Sequence, residues 1–182
     1  MTDAPIIDYV DEDCMFARWR TIAFPVFGPR MPTIHGVTAV ASQIEAHGRR
    51  VGKGKLTEIT LLGADIRMPD AKVRKVLDGM VPRLTPYYAC VAAVFEGDGF
   101  RAAMIRGLLT SFQLVGRLKY PHRVFDTVAE CANWVHGVGV VDAELADVAD
   151  AAREVRGLGS QHGVLTGSAA STRTSLPAPF RE

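Results

Sequence analysis

The chain has 182 residues, 48% hydrophobic, 23% charged and 8% aromatic, with 21 basic against 20 acidic side chains. That length supports one domain able to bury roughly 70% of its unfolded surface, so no metal or disulfide staple is demanded. The formal charge of +1 excludes a polyelectrolyte that grips nucleic acid or an anionic membrane with its whole surface, and three cysteines (Cys14, Cys90, Cys131) are too few and odd in number for a secreted disulfide framework.

The opening MTDAPIIDYVDEDC has neither a basic n-region nor an apolar h-region, and no stretch approaches the ~18 uninterrupted apolar residues of a membrane span. The expectation is a cytoplasmic protein with no membrane insertion. Residues 1–13 read as an acidic arm or edge strand, with Ile6, Ile7, Tyr9 and Val10 among five acids. From Cys14 to Phe24, Met15, Ala17 and Trp19 alternate with Phe16, Arg18 and Arg20, which predicts one half-buried strand ending near Pro25. The prolines of 25–32 predict a loop.

Thr33 then caps a helix whose stripe is Val37, Val40, Ala41 and Ile44, closing near His47-Gly48. After a basic run from Arg49 to Lys55, Leu56 to Leu62 reads as a strand with Thr57, Ile59 and Leu61 on one side. Asp70 is the N-cap of a second helix striped by Val73, Val76, Leu77 and Met80, and Pro82 weakens its continuation. Ala89 to Phe95 has no polar residue, the pattern of a strand covered on both faces. A glycine turn at 96–99 opens a predicted helix from Phe100 to Arg117, and His122 to Phe125 reads as a short strand. Thr127-Val128-Ala129-Glu130 is a capping box. Asp142 caps one more helix, with Leu145, Val148, Ala152 and Val155 in a stripe and Gly157 just beyond its end. The residues leave open whether that helix packs on its own domain or on another subunit. Residues 160–182 read as a disordered tail.

The order ββαβαβαβα predicts an α/β fold: a mixed, mostly parallel sheet of four to five strands with right-handed crossovers and helices packed on it. That order, with the ending Arg123-Val124-Phe125-Asp126-Thr127-Val128-Ala129-Glu130-Cys131-Ala132-Asn133-Trp134-Val135, resembles a STAS-type domain. This is the family of sulfate-transporter and anti-sigma-factor-antagonist modules, with SEC14-like relatives. The resemblance spans 14–137, with 138–159 as an additional helix. It implies a regulatory module that acts through a protein partner or its own dimer, with contacts around Arg67, Pro69 and Asp70. Antagonists of this type carry a phosphoacceptor serine there, whereas Gly63 to Ala71 holds neither serine nor threonine. The phosphoswitch is therefore expected to be absent. Asp70 reads as a permanent phosphomimic or as a plain N-cap, and the N-cap preference of aspartate favours the second.

No constellation in the sequence points to catalysis. The five histidines show no i, i+4 pair and no C-x-x-C occurs, so no metal and no cofactor is expected. Neither a Walker A nor a G-x-S-x-G elbow is present. Gly97-Asp98-Gly99 between a buried strand and a helix offers backbone N–H groups to an anion. With Arg101 and Arg123 it forms the alternative site, for a small anionic molecule or a lipid headgroup. Ala102 at the third glycine position does not dismiss a dinucleotide, but the charges of Glu96 and Asp98 and the late place of the strand in the chain stand against it. The basic residues between Gly99 and Asp126 and those of 49–55 read as solvated faces, not as nucleic-acid contacts. The expected function is a non-enzymatic interaction module, with small-molecule binding as the alternative.

Overall fold

Strict side-chain alternation along residues 14–27 starts the sheet, and the structure shows where the chain turns. In this computed structural model, residues 3–30, 32–67, 69–95, 119–138 and 140–165 are described. They form strands β1 (Ile6–Val10), β2 (Cys14–Trp19), β3 (Ile22–Phe27), β4 (Leu56–Leu62), β5 (Tyr88–Phe95) and β6 (His122–Phe125). The helices are α1 (Ile34–Val51), α2 (Ala71–Leu84), α3 (Val128–Val138) and α4 (Leu145–Gln161). The six strands lie in chain order across one sheet: β1, β2 and β3 pair antiparallel, and β3 to β6 pair parallel. The class is the predicted one, an α/β fold with a mixed, mostly parallel sheet. The predicted turn at 96–99 and helix at 100–117 lie outside the described residues.

One strand more than expected comes from the 14–24 stretch, which is a hairpin and not a single strand. Arg20 reverses the chain in the left-handed region, at φ 50°. That is uncommon for a side chain without glycine's freedom, and no glycine or asparagine marks the turn in the sequence. β3 then runs through Pro25, which was expected to start a loop. Proline has no N–H to give a ladder. The β3–β4 pairing accordingly skips Phe24 and Pro25 and resumes at Val26↔Leu61, while Pro25 still sits opposite Phe16 of β2.

The period of two sorts the strands into two cores. Met15, Ala17, Phe24, Ile59, Leu61, Ala92 and Val94 face α3 and α4, whose Val135, Val148, Ala152 and Val155 close over them. Cys14, Phe16, Ala23 and Leu56 face α1 and α2, and meet Val37, Val40, Ile44 and Val73. Local capping holds three helices as expected, but Asp142 does not cap the last one: α4 starts behind Glu144, whose side chain makes no cap hydrogen bond. The Thr33 hydroxyl accepts from Gly36 N at 3.0 Å, the Asp70 carboxylate from Val73 N at 2.8 Å, and the Thr127 hydroxyl from Glu130 N at 3.2 Å.

Helix ends differ more. α1 continues past Gly48 to Val51, where Gly52 at φ 105° ends it behind Arg49 and Arg50, bases that suit the negative end of the dipole. α2 passes Pro82 and ends at Leu84. α4 passes Gly157 and ends at Gln161, and Val164 and Leu165 then fold back and are buried. A glycine stops a helix by taking a positive φ; here that residue is Gly163, at 72°. The open question about the last helix is also resolved: α4 packs in cis, against α3, β2 and β3.

Candidate functional site

On the α1–α2 side the described residues cover the sheet incompletely. α1 lies along β1 to β4, but α2 packs chiefly on α1, and a cavity of about 420 Å³ remains between the helices and β3 to β6. Its wall is mostly apolar, with Phe27 from β3, Ile44 from α1, Leu77 and Met80 from α2, and Val91 and Ala93 from β5. Ligand cavities generally run from about 300 to 1,000 Å³, apolar with a few convergent polar groups.

The convergent polar group here is Glu58. β4 is otherwise apolar apart from its threonines, and its alternation puts Glu58, Thr60 and Leu62 on the cavity side. Glu58 is 9% exposed. Thr60 Oγ1 donates to Glu58 Oε1 at 2.8 Å, and the Tyr88 hydroxyl donates to Oε2. Burial raises the Glu58 pKa, and the two hydroxyl donors only partly offset it. The Tyr88 phenol is pushed well above its ordinary value, first by burial and then by the Glu58 charge. Beside it, Tyr120 packs its ring 4.9 Å from that of Tyr88 at a 57° tilt, and burial followed by Glu58 pushes it up to about 12.

Register completes the floor. Glu58 pairs with Val91 and Val91 with His122, so three adjacent parallel strands bring the glutamate and the histidine onto one row facing the cavity. Burial lowers the His122 pKa, favouring the neutral ring. Arg67, Arg74 and Asp78 line the cavity as its only charged groups besides Glu58 among the described residues. Perturbed carboxyl, phenol and imidazole groups gathered in one recess are the pattern expected of a functional site.

The sequence-predicted residues divide. Arg67 and Pro69 line the cavity, so the loop singled out by the resemblance runs along its wall. Asp70 is spent as the N-cap of α2. Arg123 pairs with Ala92 on the opposite side of the sheet, where its guanidinium lies 5.3 Å from the Phe125 ring centre, away from the cavity. Gly97, Asp98, Gly99 and Arg101 lie outside the described residues. Cys14, Cys90 and Cys131 are free and buried, with thiols pushed up chiefly by burial. Among the described residues no group of three or more His, Cys, Asp or Glu is placed to hold a metal ion, and no helix is long and apolar enough to cross a membrane.

Sequence reading missed Glu58, Thr60, Tyr88 and Tyr120. One signal was available: a lone acid in the middle of LTEITLL, where a strand with both sides covered has no inexpensive place for it. Comparison of the chain with known families, curated proteins and solved structures finds no match.

Proposed function

We propose that this protein is a small-molecule-binding domain whose ligand enters the cavity between α2 and β4 to β6, and that it does no covalent chemistry of its own. The observation that carries this reading is a 420 Å³ apolar recess with a buried, hydroxyl-supported carboxyl on its floor. The STAS-type resemblance, with its SEC14-like relatives, supports the same reading. It also keeps a regulatory role in play, since a filled cavity would alter the surface at Arg67 and Pro69 that a protein partner would touch.

The test is a thermal-shift and NMR screen with small apolar compounds of mixed polarity, run on the parent and on Ala93→Leu. Ala93 is 5% exposed and lines the recess, so leucine there occupies ligand space. Ligands bound at about 100 times their Kd should stabilise the parent by about 2.7 kcal/mol and the variant hardly at all. Shifts of equal size in both proteins, or none in either, would refute the cavity as the binding site.

A further inference from the structure

The proposed binding site can be taken one step further, to the charge of its ligand, and this step rests on that reading. We propose that the cavity selects a small lipophilic amine, whose ammonium group pairs with Glu58 against the Tyr88 and Tyr120 rings while its apolar body fills the recess.

The argument begins with what Glu58 lacks. Its partners are two hydroxyls, and each hydroxyl has one proton to give: Thr60 spends its proton on Oε1, Tyr88 on Oε2. An ionised carboxylate has about four acceptor sites, so roughly half remain unused. No Lys, Arg or His forms an ion pair with Glu58 among the described residues, although a buried carboxylate ordinarily has such a partner. The counter-charge is thus left for the ligand to bring.

The surroundings suit a cation. The faces of the tilted Tyr88–Tyr120 pair carry the negative side of the aromatic quadrupole, and aromatic faces beside a carboxylate are a favourable setting for an ammonium group. Among the described residues, the other groups that face Glu58 carry no competing buried charge. α1 contributes aliphatic side chains alone to the cavity, and burial favours the neutral forms of the two phenols and of the His122 ring on β6. Arg67, Arg74 and Asp78 belong to the loop before α2 and to α2, where they stand exposed and are weakened by solvent. A carboxylate ligand would meet Glu58 as a like charge, and an alcohol would gain no ion pair.

The pairing also moves a proton. Burial favours the protonated Glu58 in the empty cavity. When an ammonium ion binds, the carboxyl proton leaves for solvent and the carboxylate stays behind as its partner. Below the free-state titration point of Glu58, amine affinity should rise by up to tenfold per pH unit, and above it the rise should cease.

The experiment uses three probes of matched shape: 2-phenylethylamine, 2-phenylethanol and 3-phenylpropanoate. Each is titrated calorimetrically into the full chain, in two buffers of different ionisation enthalpy to count protons. We expect the amine to bind at least tenfold tighter than the alcohol, with proton release on the acidic side. Glu58→Gln keeps the shape of the side chain and should bring the amine-to-alcohol ratio close to one. Proton counting on the parent protein needs no variant, so a poorly folding Glu58→Gln does not protect the idea. Equal binding of amine and alcohol, or tighter binding of the propanoate, would overturn the amine assignment and leave the cavity reading standing. Binding of none of the three, with no hit in the wider screen, would remove both.

Discussion

On the α3–α4 side, β4 presents Thr57, Ile59 and Leu61, β5 presents Cys90, Ala92 and Val94, and helical side chains fill the space above them. On the α1–α2 side the same two strands present Glu58, Thr60 and Leu62 with Val91 and Ala93, and leave about 420 Å³ open. One backbone therefore supports a closed core and a recess a single residue apart. The closed side places its polar groups where they satisfy one another, as Cys90 Sγ does with Thr57 Oγ1 at 3.7 Å. The open side ends its polar chain on a carboxyl with acceptor capacity to spare. Close packing gives stability, and the departure from it marks where something else can bind.

The largest expected effect tests how tightly the α1–α2 side is sealed away from its cavity. His47 on α1 is 2% exposed, and neither ring nitrogen has a hydrogen-bond partner. Burial, then the charges of Arg50 and Arg18, lowers its pKa from 6.5 to about 4. The folded protein thus binds fewer protons than the unfolded chain between those values. Its contribution is complete above about pH 6.5 and is lost as pH falls towards 4, roughly 3 kcal/mol in all. Urea melts at stepped pH should show this loss, and His47→Leu should flatten it. A parent protein as stable at pH 4 as at pH 7 would mean that the ring is open to water.

The sharpest test of the contrast is a pair of neighbours. Ala92 faces the filled core at 0% exposure and Ala93 lines the recess. Ala92→Leu should cost about 1–3 kcal/mol through overpacking, whereas Ala93→Leu should stay within about 1 kcal/mol of the parent. Equal losses would show the two sides to be equally dense. The smallest effect belongs to the cavity rim: Asp70→Ala removes the bond to Val73 N and should cost about 1 kcal/mol by chemical denaturation. A role for Asp70 as a constitutive charge signal would instead leave stability untouched and change partner binding.

The legibility of these features follows their range along the chain. Thr33, Asp70 and Thr127 are readable as caps because a cap needs only its own helix, two or three residues on. The class of fold is likewise visible in strands and helices that alternate with the right periods. The hairpin between β2 and β3 is hidden because Arg20 makes the turn without any turn residue, and Pro25 is misleading because the gap it needs lies in the pairing with β4, a strand distant in sequence, between Ala23↔Glu58 and Val26↔Leu61. The site is harder still. Glu58 meets Tyr88 only through the β4–β5 register, which shifts between Leu56 and Thr57, and His122 joins their row only across a third strand.

A last consequence concerns Gly28, where the two sides of the sheet touch. Phe27 forms part of the cavity wall, and a methyl group on the next residue would sit 1.9 Å from the Val164 carbonyl oxygen. A Cβ on Gly159 would meet Leu165 Cδ1 at 3.1 Å, a milder crowding, and one on Gly63 would make only ordinary 3.5 Å contacts. At Gly28 the end of β3 therefore meets the return segment behind α4 main chain to main chain, and any side chain there would prise the two apart.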